Sequence, residues 1–236
     1  MTEPIIYAFD AGSPRQGLAW ARVAQDAVGV AFGGTDVSVA ADAIARDIDR
    51  GSSVAMAFEA PLFLPVADDY RELCRARRGE GARPWSAGAG AYVTGVVIPL
   101  AAWVLRRVRE KAAAASTVRF TLAAEDWPRA NERTATPVLL AWEAFVSGEG
   151  HATSSNEHGM SEHVQDAATA ALAFQSWALS PTRAGSAVEA DPCISTIAAA
   201  ALWAGWTTDV DLLHRQALVL WPRTCRGRDV RPWAAR

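Results

Sequence analysis

The sequence predicts an α/β fold with a mixed sheet, three antiparallel strands followed by parallel strands, flanked by helices. Three observations lead there. The first forty residues hold short β-rich apolar runs between turn residues: Ile5 to Phe9, Leu18 to Ala24 and Val28 to Phe32. Their links are too short to carry a crossover helix, so the three runs are expected to pair as an antiparallel meander. From Thr35 to Arg50 the apolar period changes to that of a helix. A continuous apolar run, Val54 to Phe58, then suits a strand buried on both faces and reached by a crossover.

Within the first helix Val37, Ala41, Ile44 and Ile48 share one face, whereas Asp42, Arg46, Asp47, Asp49 and Arg50 lie off it. Gly51 supplies a C-terminal stop. Tyr70 to Gly90, rich in Arg, Gly and Pro, has no period and reads as a loop with some helix. Val93 to Ala115 reads as a long helix, apolar first and basic later, in which Pro99 imposes a kink or a restart. Pro137 opens an apolar segment, Val138 to Val146, interrupted by Glu143. A polar loop from Gly148 follows, and Ser161 is the expected N-cap of an alanine-rich helix ending near Leu179. In the tail, Ile194 to Trp206 reads as a buried helix and Ala217 to Trp221 as a short strand or a helix end. No internal repeat and no long linker divides the chain. Residues 1–236 are therefore expected to form one domain, with 185–236 as a C-terminal extension.

Half of the 236 residues are hydrophobic and 21% are charged, which excludes a disordered or collagenous chain. No uninterrupted apolar run reaches the roughly 18 residues that span a bilayer. The stretch Met1-Thr2-Glu3-Pro4 does not begin a charged-then-apolar leader, so a cytoplasmic location without a membrane partner is expected. Cys74, Cys193 and Cys225 lie far apart with no C-x-x-C spacing, which suggests neither a disulfide framework nor a thiolate metal site.

The carboxylates carry the chemistry. Asp10 ends the run Ile5 to Phe9 and Glu59 ends the run Val54 to Phe58. An acid at the end of a buried strand is costly unless paired or hydrogen-bonded, so two such placements call for a reason. Small residues follow each, Ala11-Gly12 and Ala60-Pro61, leaving room for a ligand. If the two strands are neighbours, the acids converge. Asp166 lies one turn into the late helix with Glu162 four residues earlier on the same face, although acids near a helix start also occur for dipole reasons alone. Carboxylate oxygens are the ligands that Mg²⁺ and Mn²⁺ prefer, and two such ions about 3.5–4 Å apart can activate water and stabilise the leaving oxygen of a phosphodiester. Glu143 sits mid-strand on one face with Leu139, Ala141 and Phe145, and has three readings: a further site acid, an ion-pair partner for an arginine, or an edge residue facing water.

Two of these stretches resemble a known superfamily. Asp10-Ala11-Gly12-Ser13-Pro14-Arg15-Gln16-Gly17-Leu18-Ala19-Trp20 looks like the first hairpin of RuvC-type nucleases, and Glu59-Ala60-Pro61-Leu62-Phe63-Leu64-Pro65 is similar to a stretch found in predicted ribonuclease-H-like nucleases. Glu143 resembles an acid on a later strand of that group, and Glu162 to Ala167 resembles its acidic helix. Motif order and spacing agree over residues 5 to 180, and the element order is itself ribonuclease-H-like. The resemblance implies a nuclease using Mg²⁺ or Mn²⁺, with Asp10, Glu59 and Asp166 as metal ligands, Glu162 or His163 in support and Glu143 as a fourth acid. RuvC resolvases carry two acids three residues apart on the helix, whereas here the residue three before Asp166 is His163.

Other motifs are weaker. His151, His158 and His163 cluster with Glu157 and Glu162, but no zinc-ligand spacing is present, and an active-site or solvated loop is the expected reading. Asp10-Ala11-Gly12-Ser13 also looks like the first phosphate loop of actin-like sugar kinases, though no second copy of that turn occurs. An actin-like phosphotransferase or nucleotide-binding protein is thus the alternative enzyme, and a non-catalytic scaffold the alternative without chemistry.

Charge distribution bears on partners. The chain is net −3, and 22 of its 23 basic residues are arginine. Arginine concentrates in residues 71–83, 106–111 and 215–236, at local net charges of +3, +3 and +5. Such clusters suit bidentate phosphate contacts, so nucleic acid is an expected partner through Arg15, Arg77, Arg78 and Arg83, with Trp85 and Trp233 placed to stack on bases. Trp177, Trp203 and Trp206 lie in apolar helical stretches and are expected in the core or on a homodimer face.

Overall fold

The computed structural model describes residues 3–12, 17–27, 29–81, 84–128, 136–145, 161–180, 182–221 and 229–233. Strands β1 (Ile5–Ala11), β2 (Leu18–Ala24) and β3 (Val30–Gly34) form the antiparallel meander, with Ile5 opposite Ala24 and Trp20 opposite Gly34. The first hairpin is tight. The Gly12 N–H donates to the Gly17 carbonyl at 3.0 Å, and a Cβ on Gly12 would stand 2.5 Å from that oxygen, so only glycine fits.

Helix α1 (Val37–Asp49) begins at Asp36, whose side chain accepts from the Ser38 N–H. It crosses over the sheet to β4 (Val54–Phe58), which pairs parallel with β1, Ile5 facing Val54 and Phe9 facing Phe58. Beyond β4 lies β7 (Val138–Ala144), also parallel, flanked in turn by β6 (Arg119–Thr121) and β9 (Leu218–Leu220). Strand β10 (Asp229–Pro232) lies parallel to β3 at the other edge, giving the order β10-β3-β2-β1-β4-β7-β6. A separate pair joins β5 (Phe63–Pro65) to β8 (Cys193–Ser195).

Alternation along β1 divides the interior in two. Tyr7 and Phe9 point to a core shared with Trp20, Ile44, Ile48 and Phe58 under α1 and under α2 (Ala89–Lys111). Ile6 and Ala8 point to the other, with Leu140, Trp142 and Phe174 under α3 (Glu162–Leu179). Helix α3 packs on β1, β2 and β3, and α4 (Thr196–Trp203) packs on α2.

Three expectations change, and a fourth is settled between its two alternatives. Helix α2 runs through Pro99 as one element, so the chain does not restart there, and the proline lies at an exposed position. The third strand sits at Val30–Gly34, two residues later than its apolar run suggested, and Val28 is outside the described residues. The Ile194–Trp206 run is divided, because Ser195 ends β8 and caps α4 by accepting from the Ala198 N–H. The segment from Ala217 resolves as strand β9. By length and composition α2 is also long and apolar enough to cross a membrane. Here its Val97, Ala101, Val104, Leu105 and Val108 are buried in the core beneath it.

Candidate functional site

The site grows from the parallel pairing of β1 and β4. The Glu59 N–H donates to the Phe9 carbonyl at 2.9 Å, extending the ladder one step past Phe9–Phe58. Asp10 and Glu59 therefore occupy equivalent positions on neighbouring strands, in phase with Ala8 and Ala57, and face α3. Asp10 is 9% exposed.

Helix α3 supplies the rest. Ser161 caps it by accepting from the Val164 N–H, and the helix packs on β1, β2 and β3. His163 Nδ1 lies 2.6 Å from Asp10 Oδ2. Glu162 is exposed and Asp166 half-buried. The electrostatics register this convergence. Burial, together with the charges of Asp10 and Asp166, pushes Glu59 up to about 9. Burial likewise raises Asp10; the His163 hydrogen bond and charge oppose that, while Asp166 and Glu162 add to it.

Asp10, Glu59, Glu162, His163 and Asp166 are thus gathered at one end of the sheet, and Glu143 is not. It stands in phase with Leu139 and Ala141 on the opposite face, fully buried. Its carboxylate takes two 2.7 Å hydrogen bonds from Arg77 and one of 2.9 Å from the Leu62 N–H. Arg77 also pairs with Glu80 at 2.9 Å and donates to the Phe63 carbonyl. Two sequence expectations fall with this network. Glu143 is no member of the acidic cluster, because strand parity sends it to the other core. Arg77, 2% exposed, is no surface contact for nucleic acid, because one guanidinium serves two buried acids. Glu80 belongs to this network and had no signal beyond its i, i+3 spacing from Arg77.

The other basic candidates differ. Arg78 is on the surface, its side chain 81% exposed and paired with Glu189. Trp85 is half-buried, its indole N–H donating to the Arg75 carbonyl at 3.0 Å. Trp233 packs edge-on against Trp20 and Phe32. Trp177 and Trp206 are buried and Trp203 is exposed, with Arg106 over its ring. Arg15, Arg83, His151, Glu157 and His158 lie outside the described residues.

Sequence reasoning also missed a second buried network. Asp47, on the polar side of α1, is pulled inward by Arg22 at 2.9 Å and by the Tyr7 hydroxyl at 2.7 Å. Its signal was an arginine in phase with Trp20 on an otherwise apolar strand.

Chemically, the cluster offers hard oxygen donors of the kind that Mg²⁺ and Mn²⁺ take, together with a glutamate that keeps its proton at neutral pH. Among the described residues, no group of three or more His, Cys, Asp and Glu side chains is arranged to hold a metal ion as it stands. Comparisons of the chain with protein-family models, with curated proteins and with solved structures found no match.

Proposed function

We propose that this chain is a metal-dependent nuclease, a phosphodiester hydrolase on a ribonuclease-H-like fold. The observation that carries the reading is the pairing of Asp10 and Glu59 at equivalent ends of neighbouring parallel strands, beneath the acidic first turns of α3. An order of three antiparallel strands followed by parallel ones supports the fold assignment. The donor chemistry fits a divalent cation: burial first, and then the charges of Asp10 and Asp166, hold the Glu59 proton to about pH 9, and a cation would relieve the part that is repulsion.

Asp10, Glu59 and Asp166 would hold Mg²⁺ or Mn²⁺, which when bound lowers the pKa of water and stabilises a developing oxyanion. Everything else falls to the chain's own groups. Glu59 must give up its proton for its carboxylate to serve as a ligand. His163 holds Asp10 Oδ2 and is half-exposed, so it can pass a proton between that oxygen and solvent. Glu162, exposed at the helix start, adds negative charge at the mouth of the site.

Calorimetric titration with Mn²⁺, alongside cleavage assays on single-stranded DNA, duplex, junction and RNA, tests the reading. Wild type is expected to bind Mn²⁺ and to cleave at least one substrate in its presence, and D10N to lose both. A wild-type chain that neither binds Mn²⁺ nor cleaves would instead favour a non-catalytic scaffold. That second reading rests on Asp10 Oδ2 being taken by His163 and on the incomplete ligand set.

A further inference from the structure

Helix α1 carries Ala43, Arg46, Asp47 and Arg50 at intervals that align them along one face. Together with Arg22 of β2, Phe32 of β3 and Trp233 after β10, that face lines a cavity of about 410 Å³. The volume falls in the ordinary range for small-molecule sites. Arg22 is paired in register with Tyr7, so the cavity belongs to the α1 side of the sheet, away from the face that Asp10 and Glu59 share.

Its charge is unbalanced. Asp47 is the only carboxylate among the described lining residues, and it is already engaged: Oδ2 accepts from Tyr7 and Arg22 Nε, and Oδ1 accepts from Arg22 Nη2 at 3.2 Å. Arg50, its side chain 68% exposed, reaches Asp47 only at 3.7 Å. Arg46 is exposed, with no acid partner among the described residues. Three guanidiniums against one carboxylate leave two positive charges over, and a phosphate monoester carries about that much negative charge at neutral pH. Ala43, the smallest member of the helix face, leaves room between helix and sheet.

The remaining wall is aromatic. Phe32 and Trp233 meet edge to face with centroids 6.3 Å apart, and the Arg22 guanidinium lies 5.7 Å from the Trp233 ring centre. Trp233 Nε1 is buried with no hydrogen-bond partner among the described residues. Planar bases stack on such rings, and arginine forks match phosphate oxygens.

We propose that this cavity is a binding site for a nucleoside monophosphate, its phosphate on Arg46 and Arg50 and its base against Phe32 and Trp233. The site is independent of the acidic cluster and stands whether or not the nuclease reading does.

AMP titrated into the full chain at low salt, followed by calorimetry and tryptophan fluorescence, tests it, with adenosine and inorganic phosphate as separate arms. AMP is expected to saturate one site and to bind at least about tenfold more tightly than either fragment. R46A/R50A removes two exposed side chains, so circular dichroism and melting should be unchanged while AMP binding weakens at least about tenfold. D10N should leave AMP binding intact. Absence of saturation by about 10 mM AMP, or equal affinity in wild type and R46A/R50A, would overturn the site. Inorganic phosphate binding as tightly as AMP would overturn the role given to the rings. Should the double variant fail to fold, competition of AMP by inorganic phosphate in wild type decides the same point: its absence removes the phosphate contact.

Discussion

Replacing Glu59 by glutamine keeps the side chain's size and abolishes its proton equilibrium. An ordinary glutamate titrates near 4.5, whereas burial and the nearby Asp10 and Asp166 charges push this one up to about 9. Between those values the native chain holds a proton that the unfolded chain has released. The stability tied to that proton is therefore fully present below about pH 4.5 and is lost as pH rises toward about 9. At about 1.4 kcal/mol per pH unit, the loss accumulated by pH 7 is about 3 kcal/mol. E59Q carries no such loss. Urea unfolding followed by tryptophan fluorescence should show E59Q within about 1 kcal/mol of wild type at pH 5 and more stable by about 3 kcal/mol at pH 7. A difference that stays constant between those pH values would refute the reasoning, since only the proton equilibrium of Glu59 distinguishes the two chains.

Arg77→Ala strands Glu143 and Glu80 without their shared cation and should cost about 3–5 kcal/mol, seen as a melting temperature about 6–20 °C lower. D47N weakens the charged hydrogen bonds from Arg22 and the bond from Tyr7, with an expected loss of about 1.5–3 kcal/mol in urea unfolding. G33A would bring a Cβ within 2.4 Å of the Trp20 carbonyl and 2.8 Å of Val164 Cγ1, wedging β3 away from β2 and α3. A loss of about 1–3 kcal/mol by the same assay is expected, and an unchanged midpoint would show that α3 yields freely at this contact.

The first half of the sheet was legible because β1, β2 and β4 are long enough to stand out as apolar runs and α1 long enough for its period to show, and Asp10 and Glu59 could be paired once β1 and β4 were taken as neighbours. Strands β5, β6, β8 and β10 were not, since three or four residues hold no period; pairing partners define them. Glu143 illustrates the limit within the site. Its alternation with Leu139 and Ala141 was readable, but which face those residues share with Asp10 depends on register between strands. Its cation, Arg77, sits 66 residues earlier in a segment with no period at all. The His163–Asp10 contact spans 153 residues; resemblance had assigned His163 only a supporting role, without this contact. Asp47 was hidden for a simpler reason: it lies among charged residues on α1, and only the inward Arg22 distinguishes it.

The outermost pairing of the sheet joins residues made far apart in synthesis. Val30 is matched with Asp229, about two hundred residues later. On a ribosome adding about 5–20 residues per second, β3 waits about 10–40 s with one row of backbone groups unpaired. Over that interval the nascent meander offers a strand edge to any extended chain nearby. Val30 and Phe32 lie on that edge, and Gly33 and Gly34 end it, small residues that pair poorly with strangers. Truncation before Asp229 would make the exposure permanent, so loss of a four-residue strand should show itself as aggregation sooner than as a change in melting temperature.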